Sequence, residues 1–269
     1  MAGGHSGLTN SAPLTVVTPT LDAAAYLEEC LASVEAQSLP GLQHIVVDGG
    51  STDRTYNIVR QHPHIIWLSL PALRQAAAIN AGIHAAAGEI VAWLNADDLY
   101  APGALEFVTE QFRLAPQMDV LYGDCEVIGA NGQFLWSERP GPYDFRRLLR
   151  RGNYLAQPSV FLRRRVFEAV GMLDESYDYG MDYEFWLRLR QMHVRYAART
   201  LASFRWHPGS KSASGQMRSW REFLRIVRQH GGGWTPEIAL AYTRFLITMA
   251  RTRASFLLTG STAVRPLSR

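Results

Sequence analysis

The stretch LTVVTPTLDAAAYLEECLASVEAQSLPGLQHIVVDGGSTD, residues 14–53, decides the fold. Its first five residues, LTVVT, read as a buried strand. Leu27, Leu31 and Val34 then recur at the three- and four-residue spacing of one helix face. Ile45–Asp48 is a second strand, and Ser51-Thr52-Asp53 caps the helix that follows. Working outward, Ile65–Leu68 is a third strand, Gln75–Ala87 an alanine-rich helix closed by Gly88, and Ile90–Leu94 a fourth strand. Strands alternating with helices through short links pair in parallel and carry helices on both faces, a Rossmann-like, doubly wound α/β half.

Past residue 100 the pattern changes. Pro102–Leu114 reads as a helix. Val120–Tyr122 and Glu126–Ile128 read as strands, and Asn131-Gly132 is a hairpin turn returning through Phe134–Trp136. Arg163–Val170 and Tyr183–Met192 look helical. From about Gln216 the chain is helical and arginine-rich, broken at Gly231-Gly232-Gly233. The expected organisation is one α/β domain over 13–215 with a helical extension over 216–269.

Composition bounds the function. With 269 residues, 47% of them hydrophobic, the chain can bury a full core. Cys30 and Cys125 cannot make a disulfide framework and lack zinc-site spacing. Nothing before Pro13 resembles a secretory leader, so a cytoplasmic location is expected. The net charge of +3 hides an asymmetry: residues 1–134 hold 4 basic and 14 acidic residues, and residues 135–269 hold 23 basic and 10 acidic ones. An acidic half suits cations, and a basic half suits phosphate or anionic lipid. No nucleic-acid motif is present.

Ligands of open α/β sheets bind beyond the carboxyl ends of the strands. Those ends read Thr18-Pro19-Thr20, then Asp48-Gly49-Gly50-Ser51-Thr52-Asp53, then Asn95-Ala96-Asp97-Asp98. Clustered carboxylates repel one another unless a dication sits among them, although Asp48 and Asp53 can equally serve as turn and cap residues.

The series TVVTPTLD (15–22), VVDGGSTD (46–53), WLNADDLY (93–100), GMDYEFWLRL (180–189) and FRWHPGSKS (204–212) resembles, in order and spacing, a subgroup of family 2 glycosyltransferases. The resemblance implies a GT-A fold with a mixed sheet and inverting transfer of a sugar, of hexosyl type, from a nucleotide-diphosphate sugar. It also implies a divalent Mn²⁺ or Mg²⁺ and a part in polysaccharide, lipopolysaccharide or glycolipid synthesis. On it, Thr18, Pro19, Thr20 and Asp48 form the donor's base and ribose pocket, and Asn95-Ala96-Asp97 stands where the family carries Asp-x-Asp. Asp97 is then the metal carboxylate, with Asp98 beside it on the donor side. His207 is a metal or diphosphate contact, and its neighbours Arg205 and Lys211 are placed to meet phosphate. Asp182 is the base that takes the acceptor's proton, and Gln157 faces the donor sugar or acceptor.

Departures cluster in Pro71–Asn80. Relatives carry acidic residues where this chain has Ala72 and Ala77, glycine at Arg74 and lysine at Ala81; Asn80 fits the pattern. Arg74 is expected to compensate by meeting the diphosphate. The competing reading is a decayed, non-catalytic protein that still binds a nucleotide sugar. A dehydrogenase or phosphate-loop enzyme is excluded by the absence of their glycine motifs. In the extension, Trp220, Phe223, Leu224 and Val227 share one helical face and Arg218, Arg221, Arg225 and Arg228 an adjoining one. That pattern fits peripheral contact with an anionic membrane at its inner face, or packing on the catalytic domain or on a second copy in a homo-oligomer. Ile238–Thr259 is apolar but interrupted by Arg244, Arg251 and Arg253, which speaks against a transmembrane span. A glycan or lipid-linked acceptor follows from the resemblance.

Overall fold

A computed structural model describes residues 13–211, 216–244 and 246–247. Four parallel strands open the chain: β1 (Leu14–Thr20), β2 (Gln43–Asp48), β3 (Ile66–Ser69) and β4 (Ile90–Trp93). They lie in the order β3-β2-β1-β4 and are joined through α1 (Leu27–Glu35), α2 (Thr55–Val59) and α3 (Gln75–Ala85). Then come β5 (Leu99–Tyr100), α4 (Ala104–Leu114), β6 (Val120–Ile128), β7 (Phe134–Glu138) and α5 (Phe145–Arg151). The chain continues through β8 (Val160–Arg163), α6 (Arg165–Val170), α7 (Met181–Arg188), β9 (Val194–Arg205) and α8 (Gln216–Gln229). Residues 236–244 are helical as well.

The sheet runs β3-β2-β1-β4-β8-β6-β9-β5, with β7 pairing β6 as the hairpin return. β8 is antiparallel to both β4 and β6, whereas β9 runs parallel to β6, so the sheet is mixed. Side chains alternate across it. Val17, Val91 and Trp93 face a core shared with α3, α7 and α8, while Val16, Ile90 and Ala92 face one shared with α1 and α4. A sheet covered on both faces is why these strands read as unbroken apolar runs.

β1 continues two residues beyond its apolar run, through Pro19 and Thr20. The Val17 carbonyl accepts from Leu94 N–H, so the backbone of Pro19, two residues on, turns to the same side. There β4 has already ended at Trp93, and the missing proline N–H costs no ladder bond. Gly82 marks the closest approach of helix to sheet: a Cβ there would lie 2.3 Å from Val17 Cγ1.

Several boundaries differ from the sequence reading. Val120–Ile128 is one strand, not two, because β9 and β8 pair along it and hold the central residues extended. The helix expected from Arg163 begins at Arg165, and the residues before it form β8, whose burial on all four positions hides any strand period. α5 was not anticipated; its start is capped by Asp144, whose Oδ1 accepts from Arg146 and Arg147 N–H. α2 begins one residue after Arg54 rather than directly at a Ser-Thr-Asp cap.

α8 shares the main core. Ile226 and Val227 are fully buried, Trp220, Phe223 and Leu224 pack against the same cluster, and the Tyr183 and Phe223 rings stack at 5.5 Å. Each fully buried aliphatic side chain contributes roughly 1.5–3 kcal/mol. The face expected to meet either lipid or protein therefore meets the core of the α/β domain. Among the described residues no helix is long and apolar enough to cross a membrane. The part of the 238–259 run beyond 247, with Arg251 and Arg253, lies outside the described residues.

Candidate active site

The carboxyl ends of β1, β2 and β4 lie side by side, as parallel pairing requires. Thr18 is fully buried, and its hydroxyl meets His44 Nε2 at 2.9 Å. Burial, with the nearby charges of His64 and His62, pushes the His44 pKa down to about 3, and its Nδ1 has no hydrogen-bond partner. Pro19 is buried, and so is Thr20, whose Oγ1 is likewise unpartnered. Asp48 accepts from Gly50 N–H at 3.1 Å, Ser51 N–H at 3.0 Å and Ser51 Oγ at 2.5 Å, so it folds its own loop. Asp53 takes the turn role: it accepts from Ala24 and Thr55 N–H and ties the β2 loop to the β1 loop. Asp22 ties them in the other direction through Thr52 N–H at 2.7 Å.

Beyond β4 the four residues Asn95–Asp98 separate into different tasks. Asn95 is a knot. Its Oδ1 accepts from Gln75 Nε2 at 2.7 Å, and its Nδ2 donates to Asp98 Oδ2 at 3.1 Å and Gln157 Oε1 at 3.0 Å. An amide accepts at its oxygen and donates twice from its nitrogen, which an ionised aspartate cannot do. Asp98 is fully buried and accepts from Arg205 N–H at 2.9 Å. Burial, then the charge of Asp97, raises its pKa well above the usual carboxylate range. Asp98, expected on the donor side, is placed beneath the loop, and its hydrogen bonds are to Asn95 and Arg205.

Asp97 is half-buried. Its Oδ2 lies 3.0 Å from His207 Nε2. Adjacent ligands ~2.1 Å from an octahedral cation stand ~3.0 Å apart, so this pair fits a hard divalent ion as well as it fits a hydrogen bond. Among the described residues no group of three or more His, Cys, Asp or Glu could hold a metal. Two protein ligands, with phosphate and water completing the shell, is the usual arrangement for Mg²⁺ at a phosphate.

Arg205, expected to meet phosphate, is instead fully buried behind this loop. Its guanidinium donates to Asp97 O at 3.0 Å, Ala130 O at 3.1 Å and Glu29 Oε2 at 2.6 Å, and lies 4.9 Å from the Tyr26 ring centroid. Tyr26 also packs on His207, with ring centroids 4.6 Å apart. Tyr26 and Glu29, three residues apart on the start of α1, were missed by sequence reasoning; nothing in their spacing distinguishes them from a solvated helix turn. Gln157 donates to Trp93 O at 2.6 Å and braces Asn95, so the interactions shown for it are structural. Asn80 was expected on the donor side. It is buried and bonded to Leu173 and Glu175, a tie between α3 and the loop before α7.

Asp182 sits in the first turn of α7, half-buried. Its Oδ2 accepts from Asn153 Nδ2 at 2.9 Å and its Oδ1 from Tyr183 N–H at 2.7 Å. Just before it, Asp178 gathers cations: Lys211 Nζ at 2.8 Å, Arg218 Nη1 at 3.5 Å, and the charge of Arg74. Burial alone would raise the Asp178 pKa, but the Lys211 bond and charge, with Arg218 and Arg74, hold it below the usual carboxylate range. Arg74 is exposed at the start of α3. Contacts thus run from Asp97 to His207, along the turn to Lys211, and from Lys211 to the loop that carries Asp182. A cleft of about 890 Å³ at the opposite ends of the strands, lined by Pro13, Glu89 and Arg163, contains none of these residues.

Residues 15–171 match Glycosyl transferase family 2, and the chain belongs to that family; it is a glycosyltransferase. It is 32% identical to a PGL/p-HBAD biosynthesis glycosyltransferase of Mycobacterium tuberculosis, over 68% of this chain and 75% of that one. It is 28% identical to an uncharacterized glycosyltransferase of Rickettsia typhi, over 81% and 73% respectively. Among solved structures it resembles S. aureus TarS in complex with UDP-GlcNAc, with a TM-score of 0.66, 17% identity and coverage of 92% of this chain and 76% of that one. It also resembles the mannosyltransferase PcManGT of Pyrobaculum calidifontis with GDP-Man and Mn²⁺, with a TM-score of 0.58, 22% identity and coverage of 93% and 76%. The mixed α/β sheet is the GT-A fold.

Proposed function

We propose that the chain moves a sugar, with inversion, from a nucleoside-diphosphate donor to a hydroxyl of a glycan or lipid-linked acceptor. Asp97 and His207 hold a divalent cation, and Asp182 is the general base. The observation that carries this reading is the half-buried Asp97–His207 pair at 3.0 Å, on a loop braced from behind by Asp98 and Arg205. The complexes of TarS with UDP-GlcNAc and of PcManGT with GDP-Man and Mn²⁺ support the donor class and the metal.

A bound Mn²⁺ or Mg²⁺ supplies charge neutralisation for the departing nucleoside diphosphate. The chain's own residues do the rest. The ends of β1 and β2, through Thr18, Pro19, Thr20 and Asp48, offer backbone and loop groups to the base and ribose. Arg74 adds a positive charge for the diphosphate. Asp182 accepts the acceptor's proton on a carboxylate oxygen as that hydroxyl attacks the anomeric carbon from the face opposite the nucleotide. Asn153 and Tyr183 N–H fix the orientation of that carboxylate.

With α8's apolar face packed on the core, membrane contact at the cytoplasmic face falls to exposed Trp234, Leu240, Leu246 and Ile247, with Arg221 and Arg228 exposed on α8. Sedimentation with anionic and neutral vesicles tests it: salt-sensitive binding to anionic vesicles alone is expected, and no binding removes it.

Release of nucleotide from a panel of UDP-, GDP- and dTDP-sugars, with Mn²⁺ and with EDTA, tests the main reading. One donor should turn over, and only with metal. Tight donor binding without release would favour the decayed binder, and full activity in EDTA would remove the metal.

A further inference from the structure

We propose that Glu222, on α8, is a positioning residue for the base: it sets the backbone that presents Asp182 to the acceptor. The inference rests on the reading of Asp182 as base. Glu222 is nearly buried, and one of its oxygens, Oε2, accepts three successive backbone amides: Asp178 N–H at 3.0 Å, Tyr179 N–H at 2.7 Å and Gly180 N–H at 3.1 Å. These amides precede α7 directly, and Asp182 is the second residue of that helix.

Three N–H groups converging on one oxygen fix the orientation of three peptide planes, which a single bond would not do. A short helix start has unpaired amides of its own, and here a carboxylate from another helix satisfies the groups leading into it. The loop has little freedom to escape this anchor. Gly180 lies against α8 so closely that a Cβ would come within 2.5 Å of Ile226 Cδ1. Lys211 and Arg218 hold Asp178, and Arg218 itself lies on α8, 3.7 Å from the other Glu222 oxygen. On the far side of Asp182, Asn153 is oriented because its own Oδ1 accepts from Leu155 N–H, which leaves its amide nitrogen to donate to the Asp182 carboxylate. The base is held from both flanks.

The consequence is that α8, which lies beyond the 15–171 family match, belongs to the catalytic apparatus. A base displaced by about an ångström loses its alignment with the attacking hydroxyl, and misplacement of that size can cost ~10²-fold in rate. Donor affinity should be untouched, because the donor is bound at the ends of β1, β2 and β4.

The test uses the full chain with Glu222→Gln and Glu222→Asp, beside Asp182→Asn, and the donor that wild type turns over fastest in the nucleotide-sugar panel. Gln keeps an oxygen where the three amides converge and loses the charge. Asp keeps the charge but withdraws the oxygen by one methylene. Positioning predicts kcat near wild type for Gln and about tenfold or more lower for Asp. Both variants should bind UDP or GDP with Mn²⁺ normally, and exchange of the Asp178–Gly180 amides should be faster in Asp only. The reverse ranking, equal rates in both variants, or a rate loss matched by lost nucleotide binding would overturn the proposal. If Asp182→Asn turns over at the wild-type rate, the base reading itself fails and takes this inference with it. If that variant is inactive while Glu222→Asp is not slowed, only the positioning role fails.

Discussion

Asp97 and Asp182 are both carboxylates that the sequence marks, yet the molecule holds them in different ways. Asp97 follows a buried strand. Its loop is set by β4 and clamped from beneath by Arg205, Asn95 and Asp98. Asp182 has no strand behind it. It stands at a helix start whose position depends on Asn153 from one side and on α8 from the other. On the proposed reading, the donor side is built into the sheet, whereas the acceptor side is assembled by tertiary contacts around a helix start. The first should be rigid and specific for the nucleotide; the second can vary with the acceptor.

The largest expected effect separates the two sides. Asp182→Asn should lower kcat by ~10²–10⁴-fold while nucleotide affinity is retained, measured by turnover and calorimetry on one preparation. Lost affinity would place Asp182 on the donor side and erase the distinction.

A second prediction concerns acid. His44 bonds to Thr18 from the first half of β2, and its pKa falls from an ordinary value near 6.5 to about 3 on folding. Below pH 6.5 the unfolded chain takes up a proton that the folded chain refuses. Stability is therefore full above pH 6.5 and is lost as pH falls toward 3, by about 5 kcal/mol at most. Denaturant melts at pH 7.5 and 5 should show the loss, and His44→Gln should reduce it. An unchanged slope in that variant would mean the acid sensitivity arises elsewhere.

Asn95→Asp sharpens the picture of the metal loop. Restoring the family's aspartate removes the donor that joins Asp98 and Gln157 and sets two carboxylates face to face. We expect a loss of ~1–3 kcal/mol in stability, read from denaturant midpoints. A neutral result would mean that Asn95 does not carry the loop.

The smallest effect lies at Ala72, whose φ of +67° belongs to the left-handed region. Ala72→Gly should raise stability by up to ~1 kcal/mol by relieving that strain, and should leave turnover unchanged. A destabilised glycine variant would show that this backbone carries no strain at Ala72.

The same contrast explains what was legible in the sequence. The four parallel strands were, because a sheet covered on both faces writes itself as apolar runs between helical periods. The resemblance also singles out Asp97 and His207, which the structure places 3.0 Å apart. Asp98 and Asn80 belonged to the expected pattern too, but burial decides what they do, and a motif does not carry burial. β8 escaped because four consecutive buried residues show neither period. Glu29, Asn153 and Glu222 escaped for another reason: each acts on a residue far along the chain, and no local spacing records such a partner. Glu222 in particular reads as one acid in an arginine-rich helix.

In the proposed function Asp97 serves the metal and nucleotide and Asp182 the acceptor, and calorimetry separates the two roles. UDP and GDP are titrated into Asp97→Asn and Asp182→Asn with and without Mn²⁺. Asp97→Asn should lose the Mn²⁺-dependent part of nucleotide affinity, and Asp182→Asn should keep it to within about threefold. Metal-dependent binding that survives in Asp97→Asn, or disappears in Asp182→Asn, would contradict it.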